Sequence, residues 1–309
     1  MLRNGNKVNL NISVLVSAHF RNNQLEQCLL ALAPQLEKSD ELIVGITEDD
    51  LLSQEVAWKL KKYFLCPVRQ IVTRKNSVIE KLNLMADTTT TNWITTIDDD
   101  AIPPSDWVRK IKANLCMTEL GAIGGRDIQP GNFPGTKRVG VVSKFGKVIG
   151  NHEKVSSIRD EVDFLKGVNM TIRKEAFPII SVMKGEGPEP HWEIFLCRKL
   201  SKRGLKIIFD SSLCVQHNPG VRTHLNRETN PTLAYIYSRN LFLAFGVNRE
   251  YWKLIRIFFH QIIIGRSPAY GIATTLFKIK SLRFNSTILA SSIRGAIKSF
   301  NIILNGRIS

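Results

Sequence analysis

The stretch Asn92-Trp93-Ile94-Thr95-Thr96-Ile97-Asp98-Asp99-Asp100-Ala101-Ile102-Pro103-Pro104-Ser105-Asp106-Trp107 decides how this chain is read. An apolar and β-branched run, Ile94 to Ile97, enters three consecutive aspartates, and two prolines follow. Like charges set side by side raise one another's pKa unless a cation offsets them. The cluster is therefore either a solvated turn or a holder of positive charge. Hard divalent cations take carboxylate oxygens and are shared with a substrate's phosphates, which suits such a cluster at a strand end.

The segments before it have a matching rhythm. Ile12 to Ala18 and Glu41 to Thr47 read as short buried strands, and Trp93 to Asp98 as a third. Between the first two, Leu25, Cys28, Leu29 and Leu32 recur at helical spacing. Between the second and third, Val56, Trp58, Leu60 and Phe64 mark one helix, and Ser77 to Thr88 reads as another. Alternating strands and helices predict an open, mostly parallel α/β sheet. Ligands bind such sheets outside the carboxyl ends of the strands, where the aspartates sit. Beyond them, Gly121 to Gly140 reads as loop with short strands, His191 to Gly204 as a helix, and Leu205 to His217 as two apolar runs ending in a histidine.

The 309 residues carry a net charge of +16, which points to an acidic partner. From Pro231 onward eleven Lys and Arg face one acidic residue, Glu250; the first 230 residues hold 32 basic and 26 acidic ones. A boundary is expected at 230/231, with an α/β domain before it and a basic, amphipathic helical extension after it. The five cysteines are widely spaced with no CxxC pair, which argues against a disulfide framework or zinc site and for a reducing, cytoplasmic location. No apolar run is long enough for a signal peptide or a membrane-spanning helix. The extension interleaves Tyr235, Tyr237, Phe242, Phe245, Trp252, Phe258 and Phe259 with Arg and Lys. That mixture suits an interfacial helix on an anionic membrane, at the inner face of the cell, or helices packed on the domain. Nucleic-acid binding uses similar residues but is not expected here.

From Ile12 to about Asn240 the order of motifs resembles a family 2 glycosyltransferase of the GT-A fold. The resemblance rests on the opening ISVLVSAHFRNNQLEQCLLAL, on ELIVGI followed by Glu48, Asp49 and Asp50, and on EKLNLMAD with Asn83. It continues through Asp98-Asp99-Asp100 as the DxD motif with PPSDW, then Gly124-Gly125-Arg126, then GVNMTIRKEAF. It implies an inverting transfer of sugar from a nucleotide-diphospho donor, a UDP-sugar above all, to a glycan or lipid-linked acceptor in surface polysaccharide synthesis. Mn²⁺ or Mg²⁺ is the implied cofactor, held by Asp98 and Asp100, with His217 as a third ligand or diphosphate contact. Ser17, His19, Arg21, Glu48 and Asp49 would cradle base and ribose, with Lys75 and Asn76 as additions. Asn83 and Arg126 would reach the donor, Asp98 or Asp99 the ribose, and Arg126 or Arg222 the diphosphate.

The family's base lies in a Glu-Asp-x-x-Leu-x-x-Arg-Leu-x-x-x-Gly helix. Aligned on Leu200 and Gly204, that pattern puts Glu193 at the Asp, Trp192 at the Glu and Lys199 at the Arg. Glu193 is the implied base, with Glu189 and Glu186 as alternatives, and His191 could contact the acceptor. The two departures leave open a non-catalytic GT-A relative that binds sugar or lipid. A haloacid-dehalogenase phosphotransferase would also carry a strand and a DxD motif, but it wants Thr or Val where Ile102 stands and the motif near the N-terminus.

Overall fold

The computed structural model describes residues 10–131, 135–154, 157–185, 189–219, 230–266, 268–277 and 282–306. The first half alternates strictly: β1 (Ile12–Ser17), α1 (Asn22–Leu32), β2 (Glu41–Thr47), α2 (Leu51–Leu60), β3 (Val68–Thr73), α3 (Val78–Thr88) and β4 (Trp93–Asp98). The short β5 (Ala101–Ile102) and α4 (Trp107–Lys112) follow. Next come β6 (Leu120–Ile128), the hairpin β7 (Val141–Val142) and β8 (Val148–Ile149), β9 (Arg159–Glu161), β10 (Asn169–Arg173), α5 (Trp192–Ser201) and β11 (Lys206–His217). The C-terminal part holds α6 (Pro231–Gly246), α7 (Tyr251–Ile263), the ribbon β12 (Gly265–Arg266) and β13 (Ala269–Tyr270), α8 (Ile272–Phe277) and α9 (Leu282–Leu304).

The main sheet runs β3-β2-β1-β4-β10-β6-β11-β5, with β9 on β11. β1 to β4 are parallel, β10 runs against both of its neighbours, and β6 and β11 are parallel to each other. β2 and β3 lie on one side of β1 and β4 on the other, so the order reverses between β1 and β4. A crevice opens at such a switch point. Ser17 pairs with Asp98 there, which sets the aspartates at its mouth.

Three expectations change. Trp93 to Asp98 is the fourth strand, because Val68–Thr73 is an unexpected strand at the sheet edge, where only two of its six residues are buried and the apolar signal is weak. The segment from Gly121 to Gly140, read as loop with short strands, begins inside β6, a nine-residue strand in the middle of the sheet. Its glycines lower strand propensity but answer a packing need: a Cβ on Gly125 would stand 1.6 Å from the Leu213 carbonyl oxygen. The two apolar runs up to His217 form one strand, β11, with a register shift between Phe209 and Cys214.

The motif residues Trp107 and Asn169 lock these pieces together. The Trp107 indole donates to Asn169 (3.0 Å), whose amide donates to the carbonyls of Leu213 (2.9 Å) and Arg126 (3.1 Å). The expected boundary at 230/231 falls at the start of α6, whose N-cap Asn230 accepts from the Leu233 amide. Yet Leu241 to Phe245, Leu254, Ile257 and Ala296 belong to the same apolar core as β-sheet residues Leu15 and Ile43. Buried Arg198 of α5 holds Glu250 by two bonds of 2.7 and 2.6 Å and also binds Asp163. Apolar burial and a buried ion pair thus join the extension to the α/β part. No described helix is long and apolar enough to cross a membrane.

Candidate active site

The three aspartates face in two directions. Asp99 turns toward the end of β1, where its carboxylate accepts from the His19 amide (3.1 Å) and from Arg21 (2.9 Å). Arg21 also binds Asp100 at 2.6 Å. Burial raises Asp99 to about 7, with Arg21 opposing the rise. Burial and the nearby Asp100 also raise Asp98. Asp98 and Asp100 converge on His217 of β11, which β5 brings alongside by pairing Ala101 with His217. One ligand atom from each of the three lies within 4.8 Å of the others.

His217 presents Nε2 to this cluster, 3.1 Å from Asp100 and 4.0 Å from Asp98. Its Nδ1 lies 2.6 Å from Asp127, on β6. Asp127 also pairs with Lys166. Burial by itself would lower His217, but its bonds to Asp100 and Asp127 raise it to about 9. Asp127 is held near 2 by His217 and Lys166, against its own burial. A carboxylate behind a histidine is how ligating imidazoles are oriented. Two carboxylates and one imidazole whose ligand atoms lie within 4.8 Å of one another fit a divalent cation such as Mn²⁺, which tolerates nitrogen better than Mg²⁺ does.

Beneath the β1 end lies a buried lysine. Lys81 of α3 donates to the Ala18 carbonyl (2.8 Å) and to Asn76 (3.1 Å). Burial lowers it to about 8, against the pull of Asp99 and Asp50. Asp50 caps α2 through the Ser53 amide (3.1 Å) and takes the Phe20 amide (2.5 Å). Phe20 is 58% exposed and sits at φ +51, a strained position beside the His19 ring. His19 contacts Thr47 across β1 and β2 (3.3 Å), and Glu48 and Asp49 lie exposed where β2 ends.

Glu193 lies in the first turn of α5 and is half-buried. Burial raises its carboxyl to about 7; Lys166 pulls it down and Asp98 pushes it up, so it feels the charges of the aspartate cluster. The turn before it is strained: His191 takes φ +72, and its Nε2 is buried with no hydrogen-bond partner among the described residues. The ring of Tyr237, from α6, packs on His191 at 4.1 Å.

Several other expected site residues have protein partners of their own. Asn83 is closed on the Ile179 backbone by two bonds of 2.7 and 2.8 Å, so its amide braces α3. Glu189 is engaged at the start of α3, accepting from Ser77, the Ile79 amide and the Gly185 amide, so it cannot serve as a free base. Arg21 grips the aspartates and Asn76 accepts from Lys81, while Lys75 is exposed. Arg126 is half-buried on β6, and its Nε has no hydrogen-bond partner among the described residues. Glu186 and Arg222 lie outside the described residues. Sequence reasoning missed Asp127, Lys166, Lys81 and Phe20. Asp127 directly follows the quoted Gly-Gly-Arg motif and Lys166 precedes the Gly-Val-Asn-Met motif, so adjacency was the one available signal.

A carboxylate pair backed by histidine, at the switch point of a parallel half-sheet, suits a nucleotide diphosphate carried with a cation. The chain belongs to glycosyl transferase family 2, whose model matches residues 13–177. No curated protein matches it. Among solved structures it is similar to the mannosyltransferase PcManGT from Pyrobaculum calidifontis, in complex with GDP-Man and Mn²⁺. The identity is 14%, over 94% of this chain and 86% of that one, with a TM-score of 0.53. It is also similar to GalNAc-T7, solved with UDP, GalNAc and Mn²⁺, at 13% identity over 79% of this chain and 49% of that one, with a TM-score of 0.57. The fold is GT-A, with a helical C-terminal extension.

Proposed function

We propose that the chain is an inverting, metal-dependent glycosyltransferase that moves a sugar from a nucleotide-diphospho donor to a hydroxyl of a glycan or lipid-linked acceptor, in surface polysaccharide synthesis. The observation that carries this reading is the pairing of a cation-ready cluster, Asp98, Asp100 and His217, with a half-buried carboxyl, Glu193, raised to about 7. A base whose pKa lies near the working pH is suited to taking a hydroxyl proton. Glu193 would accept the acceptor's proton, and the freed oxygen would attack the anomeric carbon from the face opposite the leaving diphosphate. A divalent cation on Asp98, Asp100 and His217 would supply charge neutralisation for that leaving group. Lys166 stands close enough to act on both Glu193 and Asp98 and would share the task.

Ser17, His19, Glu48 and Asp49 lie at the carboxyl ends of β1 and β2, beside the mouth, and would hold base and ribose, with Phe20 flanking the base. Arg21 and Asp99 would shape that mouth, and Arg126 would face the phosphates. A UDP-sugar is the donor proposed; the two similar structures hold GDP-Man and UDP. Membership of family 2 favours this reading over a phosphotransferase.

The test is a panel of UDP-, GDP- and TDP-sugars with Mn²⁺ or with EDTA, read as release of nucleoside diphosphate. Release with one class of donor and Mn²⁺, and none with EDTA, is expected. No release with any donor, together with donor binding by thermal shift, would instead favour a non-catalytic sugar-binding relative. Asp127→Asn leaves the ligands in place but weakens the hold on His217. It is expected to lower Mn²⁺ affinity by about 10- to 100-fold, measured by electron paramagnetic resonance of free Mn²⁺; unchanged affinity would remove Asp127 from that role.

A further inference from the structure

Helix α7 carries apolar residues on both faces, unlike an ordinary surface helix, which turns polar residues outward. Leu254, Ile257 and Gln261 face the protein. Tyr251, Ile255, Phe259 and Ile263, each four residues after the last, face outward at 52%, 43%, 57% and 53% exposure, with Trp252 beside them at 77%. In α8, Ile272 and Leu276 are exposed as well. The β7–β8 turn abuts the same helix: a Cβ on Gly146 would stand 2.1 Å from the Arg256 carbonyl oxygen. Next to it Phe145 is exposed, with the Lys144 ammonium 5.0 Å from its ring centre.

Along α7 itself the exposed charges have one sign, although Asp160 and Glu161 are exposed in the pocket that they line with Lys144 and Phe145 of the β7–β8 turn. Lys144, Arg249 and Arg256 are exposed, whereas Glu250, the sole acidic residue after 230, is engaged by buried Arg198. Large exposed apolar patches mark interaction sites. Two copies meeting face to face would bring these cations together, which opposes a homodimer. An anionic bilayer satisfies both features, since its hydrocarbon takes the apolar row and its headgroups meet the cations. Trp and Tyr favour that boundary.

We propose that α7, continued by α8 and the β7–β8 turn, is a docking face for an anionic lipid bilayer, with α7 lying in the plane of the interface. Tyr237 of α6 lines a small cavity of about 40 Å³ with Ile257 and Gln261 of α7, and it touches His191, two residues before Glu193. One side chain thus links the inward face of α7, the helix that bears the docking row, to the turn that carries the proposed base. Resting on the reading of Glu193 as base, the acceptor class this favours is one anchored in that bilayer.

The test is cosedimentation of the full chain, without donor, on phosphatidylglycerol–phosphatidylcholine vesicles against phosphatidylcholine alone. Binding is expected with the anionic vesicles at low salt. Trp252→Glu with Phe259→Glu should reduce it by on the order of tenfold or more, with an unchanged circular dichroism spectrum and melting midpoint, because both sites are exposed. Arg256→Gln should reduce it by about fivefold. Wild-type protein that ignores anionic vesicles, or a double variant that binds as well as wild type, would overturn the proposal. So would a wild-type dimer that the double variant dissolves without any vesicle binding. Vesicle binding is read without donor or turnover, so its outcome is separate from that of the transferase reading.

Discussion

Glu193→Gln is expected to lower kcat for sugar transfer by about 10²- to 10⁴-fold, the usual worth of a general base, while leaving binding of UDP with Mn²⁺ intact. The amide keeps the shape of the first turn of α5 and removes only the proton acceptor. The wild-type rate should rise with pH through an acidic limb near 7, where burial has placed the carboxyl, and the variant should lose that limb. A stability signature accompanies it. The folded-state pKa is raised above the unfolded value, so the protonated form favours folding. That contribution is full below the unfolded value, near 4.5, and is lost as pH rises through about 7. At about pH 8 the wild type carries a half-buried carboxylate that the glutamine variant lacks. The variant should therefore melt higher than wild type at about pH 8 and close to it at about pH 4.5. Retained transfer would exclude Glu193 as the base, and an equal melting difference at both pH values would deny that its carboxyl is displaced.

Asp100→Asn should remove metal-stimulated transfer, with a loss on the order of 10²- to 10³-fold, and should weaken Mn²⁺ binding by more than tenfold. EDTA should do the same to the wild type, with activity restored by Mn²⁺. His217→Ala should follow Asp100→Asn in direction, because Nε2 sits 3.1 Å from Asp100 on the same cluster. Asp99→Asn should behave differently. Its carboxylate serves the His19 amide and Arg21, so the change should weaken donor binding and thermal stability more than Mn²⁺ affinity. Calorimetric Mn²⁺ titrations of the three variants decide the matter. Equal losses at Asp99 and Asp100 would erase the division of labour among the three aspartates.

The alternation of strands and helices, the aspartates at a strand end and the helix start bearing Glu193 were legible because each is local. Periodicity within a dozen residues and charge next to an apolar run need no partner to be seen. β3 was missed because an edge strand buries little, so its Arg69 and Gln70 mask the pattern. The length and central place of β6 were missed because its glycines look like loop until β10 and β11 close on either side. Asn83 and Glu189 were misplaced for the same kind of reason. A motif position says which residue is present, whereas the backbone it ends up bracing lies about a hundred residues away.

Chain-local chemistry thus specified the helices of the first half, its strands other than β3, and a cluster of negative charge needing a counterpart. Long-range packing specified which charges meet. β5 pairing with β11 brings His217 to Asp98 and Asp100, β6 sets Asp127 behind it, and Arg21 draws Asp99 aside. The same holds for the basic extension. Its composition allowed either packing or membrane contact; the fold sinks α6 into the shared core and turns the apolar row of α7 outward, the row proposed above to meet a bilayer. Electrostatic and apolar contacts act over a few ångströms in space, and separation along the chain carries no record of them.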